Sequence, residues 1–201
     1  MTFVHVPKTA GTSFVDWVIA NKIPHESRGM HASLARASEF WPNLGYTFAF
    51  VRNPYSRLVS YFHYVGQQAE AKLAALAQGH VPKKRVDPQH EHMILQDYRQ
   101  GFHYWFTREY HGIATALTTD KTFMNWRQPQ THWIQGCDRV MRTEDLDQEF
   151  GWIKSYFHVT QDLPHVNSSQ HGDYRDYFNT ETRLMVQQMW GEDLDAFHYV
   201  F

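Results

Sequence analysis

The 201-residue chain holds one cysteine, Cys137, so it has no internal disulfide, which fits a reducing compartment. No apolar run approaches the roughly 20 residues that cross a bilayer, and no signal-peptide pattern precedes Phe3. Basic excess is missing too: 19 Lys and Arg stand against 21 Asp and Glu, a net charge of −2. That balance argues against a general nucleic-acid binder, so any anion site must be local. There is no repeat and no low-complexity tract. The length suits one domain able to bury a proper core.

What is present begins at once. Phe3-Val4-His5-Val6 has the β-branched and aromatic content of a short buried strand. Pro7 ends it, since proline cannot donate to a continuing ladder. Lys8-Thr9-Ala10-Gly11-Thr12-Ser13 follows, and then Phe14, Trp17 and Val18 recur at helical spacing. Strand, tight loop and helix in that order aim loop amides and a helix N-terminus at one spot, which favours an anion. Gly11 lets the backbone come close, and Thr12 and Ser13 add hydroxyl donors. The nucleotide-triphosphatase signature G-x-x-x-x-G-K-[ST] is absent, because Lys8 precedes the glycine and no magnesium-binding hydroxyl follows a late lysine. The dinucleotide fingerprint is absent as well, Gly11 standing alone. The loop therefore suits anion chemistry that needs no metal.

A second such unit starts near Gly45. Tyr46–Val51 reads as a buried strand, Asn53 as an N-cap and Pro54 as the first residue of a helix through Val65. Arg52 sits at the strand's carboxyl end, where open α/β sheets bind ligands. Arg57, Ser60, Tyr61 and Tyr64 share one helix face by spacing. From residue 67 to about 130 the character changes to an alanine-rich helix at Glu70–Gln78, a basic loop carrying Lys83-Lys84-Arg85, and an aromatic-rich helical stretch, His90–Gly112. A third strand, Asp138–Arg142, leads into a helix start at Thr143–Leu146 with acidic residues in its first turn. The last amphipathic helix runs roughly from Thr180 to Trp190. The expected fold is α/β: a single P-loop-like domain, residues 1–201, with a central parallel sheet flanked by helices and a helical insertion at about 67–130.

Lys8-Thr9-Ala10-Gly11-Thr12-Ser13 together with Arg52-Asn53-Pro54-x-x-Arg57-x-x-Ser60-x-Tyr61 resembles the sulfotransferases, which use 3′-phosphoadenosine-5′-phosphosulfate (PAPS). The closest resemblance is to the carbohydrate branch that includes heparan sulfate 2-O-sulfotransferase, and to its short bacterial relatives. Pro129–Ile134, Arg142–Leu146, Leu163–Ser168 and Asp195–Tyr199 also match, so the likeness covers the chain apart from about residues 67–125. It implies that the first motif is the 5′-phosphosulfate loop and the second the 3′-phosphate segment. Lys8, Thr9, Ala10, Gly11, Thr12 and Ser13 would hold one end of the nucleotide. Arg52 and Ser60 would hold the other by charge-assisted hydrogen bonds, with Arg57 either supporting them or pairing with an acid on the helix surface. Asn167 and Ser168 match a segment near the nucleotide.

Sulfuryl transfer builds charge on the leaving phosphate oxygen, and Lys8 is placed to stabilise it. The acceptor hydroxyl needs a base, a role neutral histidine fills at physiological pH. Among 14 histidines the resemblance singles out His31, 21 residues before Arg52; a capping or core role is the alternative. His5 reads as a packed core histidine. The implied co-substrate is PAPS and the product PAP, with no metal, and the implied acceptor is a hydroxyl of a sugar or glycan. Tyr104, Trp105, Phe106 and Trp126 fit either sugar stacking or a core. The alternatives are a small-molecule kinase and a non-catalytic nucleotide-binding module. A cytoplasmic location is expected, with a removed Golgi anchor left open because the first strand begins at about residue 2. Partners in the form of nucleic acid or a membrane span are not expected, and the oligomeric state is undetermined.

Overall fold

The computed structural model describes residues 1–26, 31–80, 86–116, 126–164 and 172–201. In chain order these form β1 (Thr2–Val4), α1 (Gly11–Ala20), α2 (Leu34–Phe40), β2 (Thr47–Val51), α3 (Pro54–Ala77), α4 (Pro88–Arg99), α5 (Phe102–Ala116), α6 (Gln130–Ile134), β3 (Arg139–Arg142), α7 (Leu146–Phe157) and α8 (Thr180–Ala196). Short 3₁₀ turns occupy Thr143–Asp145 and Tyr174–Tyr177. The described chain divides into two compact units.

The first unit comprises the described parts of Met1–Pro54, Lys121–Ser168 and Gln187–Val200. Its three strands lie in the order β1-β2-β3, all parallel, with Val4 opposite Ala49 and Phe50 opposite Met141. This is the expected α/β architecture. Thr47 fixes where the central strand begins: its amide and hydroxyl both donate to the Asp138 carboxylate, at 2.7 and 2.8 Å.

Because strand side chains alternate, β2 builds two cores. Phe48 and Phe50 join Phe14, Trp17 and Val18 of α1 and Leu146, Phe150 and Ile153 of α7. Ala49 and Val51 face the other way, against Leu34 of α2 and Trp133 and Ile134 of α6. Each large apolar side chain buried here contributes roughly 1.5–3 kcal/mol before entropy is subtracted. Both faces being covered is what a parallel sheet requires.

The second unit comprises the described parts of Tyr55–Asp120 and Ser169–Val186, with Phe201. It begins earlier than the insertion expected at 67, because α3 does not stop at Val65. It runs unbroken through Gly66 to Ala77 and absorbs the separate alanine-rich helix. Glycine is tolerated there for a packing reason: a Cβ on Gly66 would lie 2.4 Å from the Tyr98 ring. The expected single helix over 90–112 is instead two, α4 and α5, parted at Gly101, whose φ of +94° few other residues adopt. Phe62, Phe102, Trp105 and Phe106 form the aromatic core. Trp105 and Phe106 are therefore packing residues and not sugar platforms, while Tyr104 is exposed. Glu91, between two histidines in sequence, is buried and paired with Lys72 at 2.7 Å. Helix α8 passes the expected end at Trp190, kinking there at φ −133° before continuing to Ala196. Among the described residues no helix is long and apolar enough to cross a membrane.

Candidate functional site

The loop between β1 and α1 carries two residues in the left-handed region. Lys8 has φ +68° and Ala10 φ +62°, alternating with negative φ at Thr9 and with helical Gly11. Such alternation turns successive amides toward one concave point, a nest for an anion. Neither residue is glycine, so the conformation costs about 1–2 kcal/mol at each. Thr9 helps hold it: its buried hydroxyl donates to the Val6 carbonyl at 2.9 Å. No side chain caps α1, whose N-terminus opens directly from the nest. Thr12 is exposed on the first turn, whereas Ser13 is buried.

Gly11 has a second reason to be glycine. A Cβ there would sit 2.1 Å from Cδ2 of His5, so the imidazole of β1's extension fills the space beside the helix start. That ring also lies 4.4 Å from the ring of His31, centroid to centroid. His31 Nδ1 is 3.1 Å from the His5 carbonyl oxygen. A carbonyl only accepts, so in the neutral ring the proton sits on Nδ1 and the lone pair on Nε2. His31 is solvent-exposed and adopts φ +62°. The sequence reading of His5 as a core residue missed this contact with His31.

Electrostatics mark the same place. Burial, with help from Arg52, lowers the Lys8 ammonium to about 8. Burial, then His31 and Lys8, lowers His5 to about 4, so it is neutral at pH 7. Burial lowers Arg52 as well, with Glu144 and Tyr199 pulling the other way. Arg52 is near enough to depress the Lys8 ammonium, so two cations stand together beside the loop, where negative charge is favoured.

Arg52 is held by residues the sequence reading did not assign. The Arg52 amide donates to Oε1 of Gln130 at 2.9 Å, and Nε2 of Gln130 donates to the Arg52 carbonyl at 2.8 Å. The next amide, of Asn53, donates to Glu144 at 2.8 Å, and the Asn53 side chain donates to the Val200 carbonyl at 3.0 Å. Glu144 in turn accepts from the Tyr199 hydroxyl at 2.9 Å. Three matching stretches, 129–134, 142–146 and 195–199, thus converge on the turn after β2.

Lys8, Thr9, Ala10, Gly11, Thr12, Ser13, His31 and Arg52 all belong to the first unit. Arg57 and Ser60 belong to the second, on α3, and both are buried, at 4% and 5% exposure. Arg57 thus does not lie on the exposed face of the helix. Asn167, Ser168 and the basic stretch Lys83-Lys84-Arg85 lie outside the described residues.

The class follows from these parts: a parallel α/β protein with an anion nest at its first strand–helix junction and a second cation at the end of the neighbouring strand. The profile of the sulfotransferase family matches residues 1–200, and the chain belongs to that family. Its activity is accordingly sulfuryl transfer. No curated protein and no solved structure matches it.

Proposed function

We propose that the protein is a PAPS-dependent sulfotransferase acting on a hydroxyl of a sugar or glycan, and that its two units work as one domain. The observation that carries the proposal is the alternating backbone at Lys8–Gly11 with Arg52 close enough to depress the Lys8 ammonium. A nucleotide phosphorylated at both ends needs two separated cationic positions, and the residues fit that need. The nest amides and Lys8 receive the 5′ end, and Arg52 receives the 3′-phosphate. Arg57, Ser60, Asn167 and Ser168 stay in the assignment on the resemblance of their motifs. No Gly-Lys-Ser/Thr triplet supplies a magnesium hydroxyl, so no metal is given a role.

PAPS, when bound, supplies the sulfuryl group and a phosphate leaving group. His31 takes the acceptor's proton at Nε2 as the acceptor oxygen bonds to sulfur. Lys8 stabilises the charge left on the phosphate oxygen as the old sulfur–oxygen bond breaks, and PAP departs. The exposed position of His31 suits an acceptor that arrives from solvent. The carbohydrate assignment rests on the motif resemblance, which is to that branch of the family.

Calorimetry with PAP, ADP and ATP tests the nucleotide, and labelled PAPS with a panel of glycans and small alcohols tests the acceptor. PAP binding tighter than either ADP or ATP supports the reading. Preference for ATP points to a kinase and overturns it, and PAP binding with no turnover on any acceptor points to a binding module.

A further inference from the structure

We propose that Gln130 is a positioning residue that sets the preference for a 3′-phosphorylated nucleotide by gripping the peptide of Arg52 from both sides. The inference rests on the assignment of Arg52 to the 3′-phosphate. The β2–β3 ladder ends with Val51 opposite Arg142. Arg52 is one residue beyond it, so strand pairing no longer defines its direction. The Gln130 amide takes over as a one-residue strand, accepting from the Arg52 amide and donating to the Arg52 carbonyl.

Gln130 itself has no freedom to turn. It is fully buried, and the carboxylate of Asp193, also fully buried, accepts from its Nε2 at 3.1 Å and from its backbone amide at 2.8 Å. Asp193 accepts again from the Thr131 amide at 3.0 Å. A carboxylate only accepts, so Nε2 must face it, and both Nε2 hydrogens are spoken for. This settles which way the amide points and leaves Oε1 for Arg52. The direction of the Arg52 side chain is thereby tied, through one rigid amide, to α6 and α8.

The test measures PAP and AMP affinity by calorimetry in the full chain, in Gln130→Leu, in Arg52→Ala and in the double variant. Gln130→Leu is expected to reduce the PAP-over-AMP preference about tenfold, the scale of losing a pair of buried hydrogen bonds. In the Arg52→Ala background it should reduce that preference no further. Equal weakening of PAP and AMP, or a loss that persists without Arg52, overturns the proposal by making Gln130 a general packing residue. If Arg52→Ala leaves the native preference untouched, the assignment of Arg52 fails instead, which the single variants distinguish. Should the leucine variant not fold, Gln130→Glu keeps the size and the acceptor but loses the donor. It must shift the preference in the same direction, and an unchanged preference there is equally fatal.

Discussion

Raising the pH from 7 to 9 should weaken PAP binding about tenfold, and the cause should be one side chain. Lys8 titrates near 8 because it is half-buried beside Arg52. At pH 7 about nine molecules in ten carry its charge, and at pH 9 about one in ten. The ligand contributes little to the change and in the opposite direction, since a phosphate monoester's second pKa near 6 leaves it about nine-tenths doubly charged at pH 7 and nearly all so at pH 9. An anion in the nest favours the ammonium, so the Lys8 pKa is higher in the complex than in the free protein. Binding therefore takes up a proton. Affinity is complete below pH 8 and falls as pH rises through it, approaching tenfold per unit, or about 1.4 kcal/mol.

Calorimetry in two buffers of different ionisation enthalpy reads the proton directly, and about half a proton should be taken up per PAP at pH 8. Lys8→Arg supplies the control, because guanidinium stays charged across this range and should flatten the profile. Two results refute the reasoning. One is native affinity that is level from pH 7 to 9, and the other is a slope that survives in Lys8→Arg.

Arg52→Ala should weaken PAP by about 1.5–3 kcal/mol while leaving adenosine 5′-phosphosulfate, which has no 3′-phosphate, nearly unchanged; equal losses would remove Arg52 from that end. His31→Asn suits the left-handed backbone at this position (φ +62°) and cannot act as a base, so turnover per folded molecule should fall about 10²–10⁴-fold with PAP affinity kept. Full activity in that variant would send the search for the base elsewhere. Gly11→Ala drives a methyl into the His5 ring and should lower stability by about 1–3 kcal/mol. Adding His5→Ala should cancel most of the clash, and melting curves that show simple additivity would contradict it.

How far these features were legible depends on whether their causes are local. The strand at 47–51 was readable because every residue is apolar, yet its division into two faces needed partners on four helices. Helix α3 outran its expected end because the one residue arguing for a break, Gly66, is demanded by the Tyr98 ring and not by a turn. The opposite happened at Gly101, where an aromatic-rich pattern masked a real interruption. At the site, the loop chemistry was visible, but intrinsic preference argues against left-handed Lys8 and Ala10. Only the surrounding contacts impose it. Gln130 and Glu144 stood inside matching motifs without a role, since each bonds a backbone amide 78 or 91 residues away.

Placing two half-buried cations together in a chain of net charge −2 has a consequence for recognition. The whole-molecule field cannot draw an anionic nucleotide from a distance, so capture relies on the last few ångströms. There the field is strong because Lys8 and Arg52 are partly withdrawn from water, where charges are screened least. Glu144 raises the Arg52 pKa, yet burial outweighs the effect. Both oxygens of Glu144 are engaged by the Asn53 amide and the Tyr199 hydroxyl. The carboxylate thus directs these two hydrogen bonds to the shape of the turn. Gripping the Arg52 peptide through Gln130 and the next amide through Glu144 fixes the turn that carries this cation before any ligand arrives.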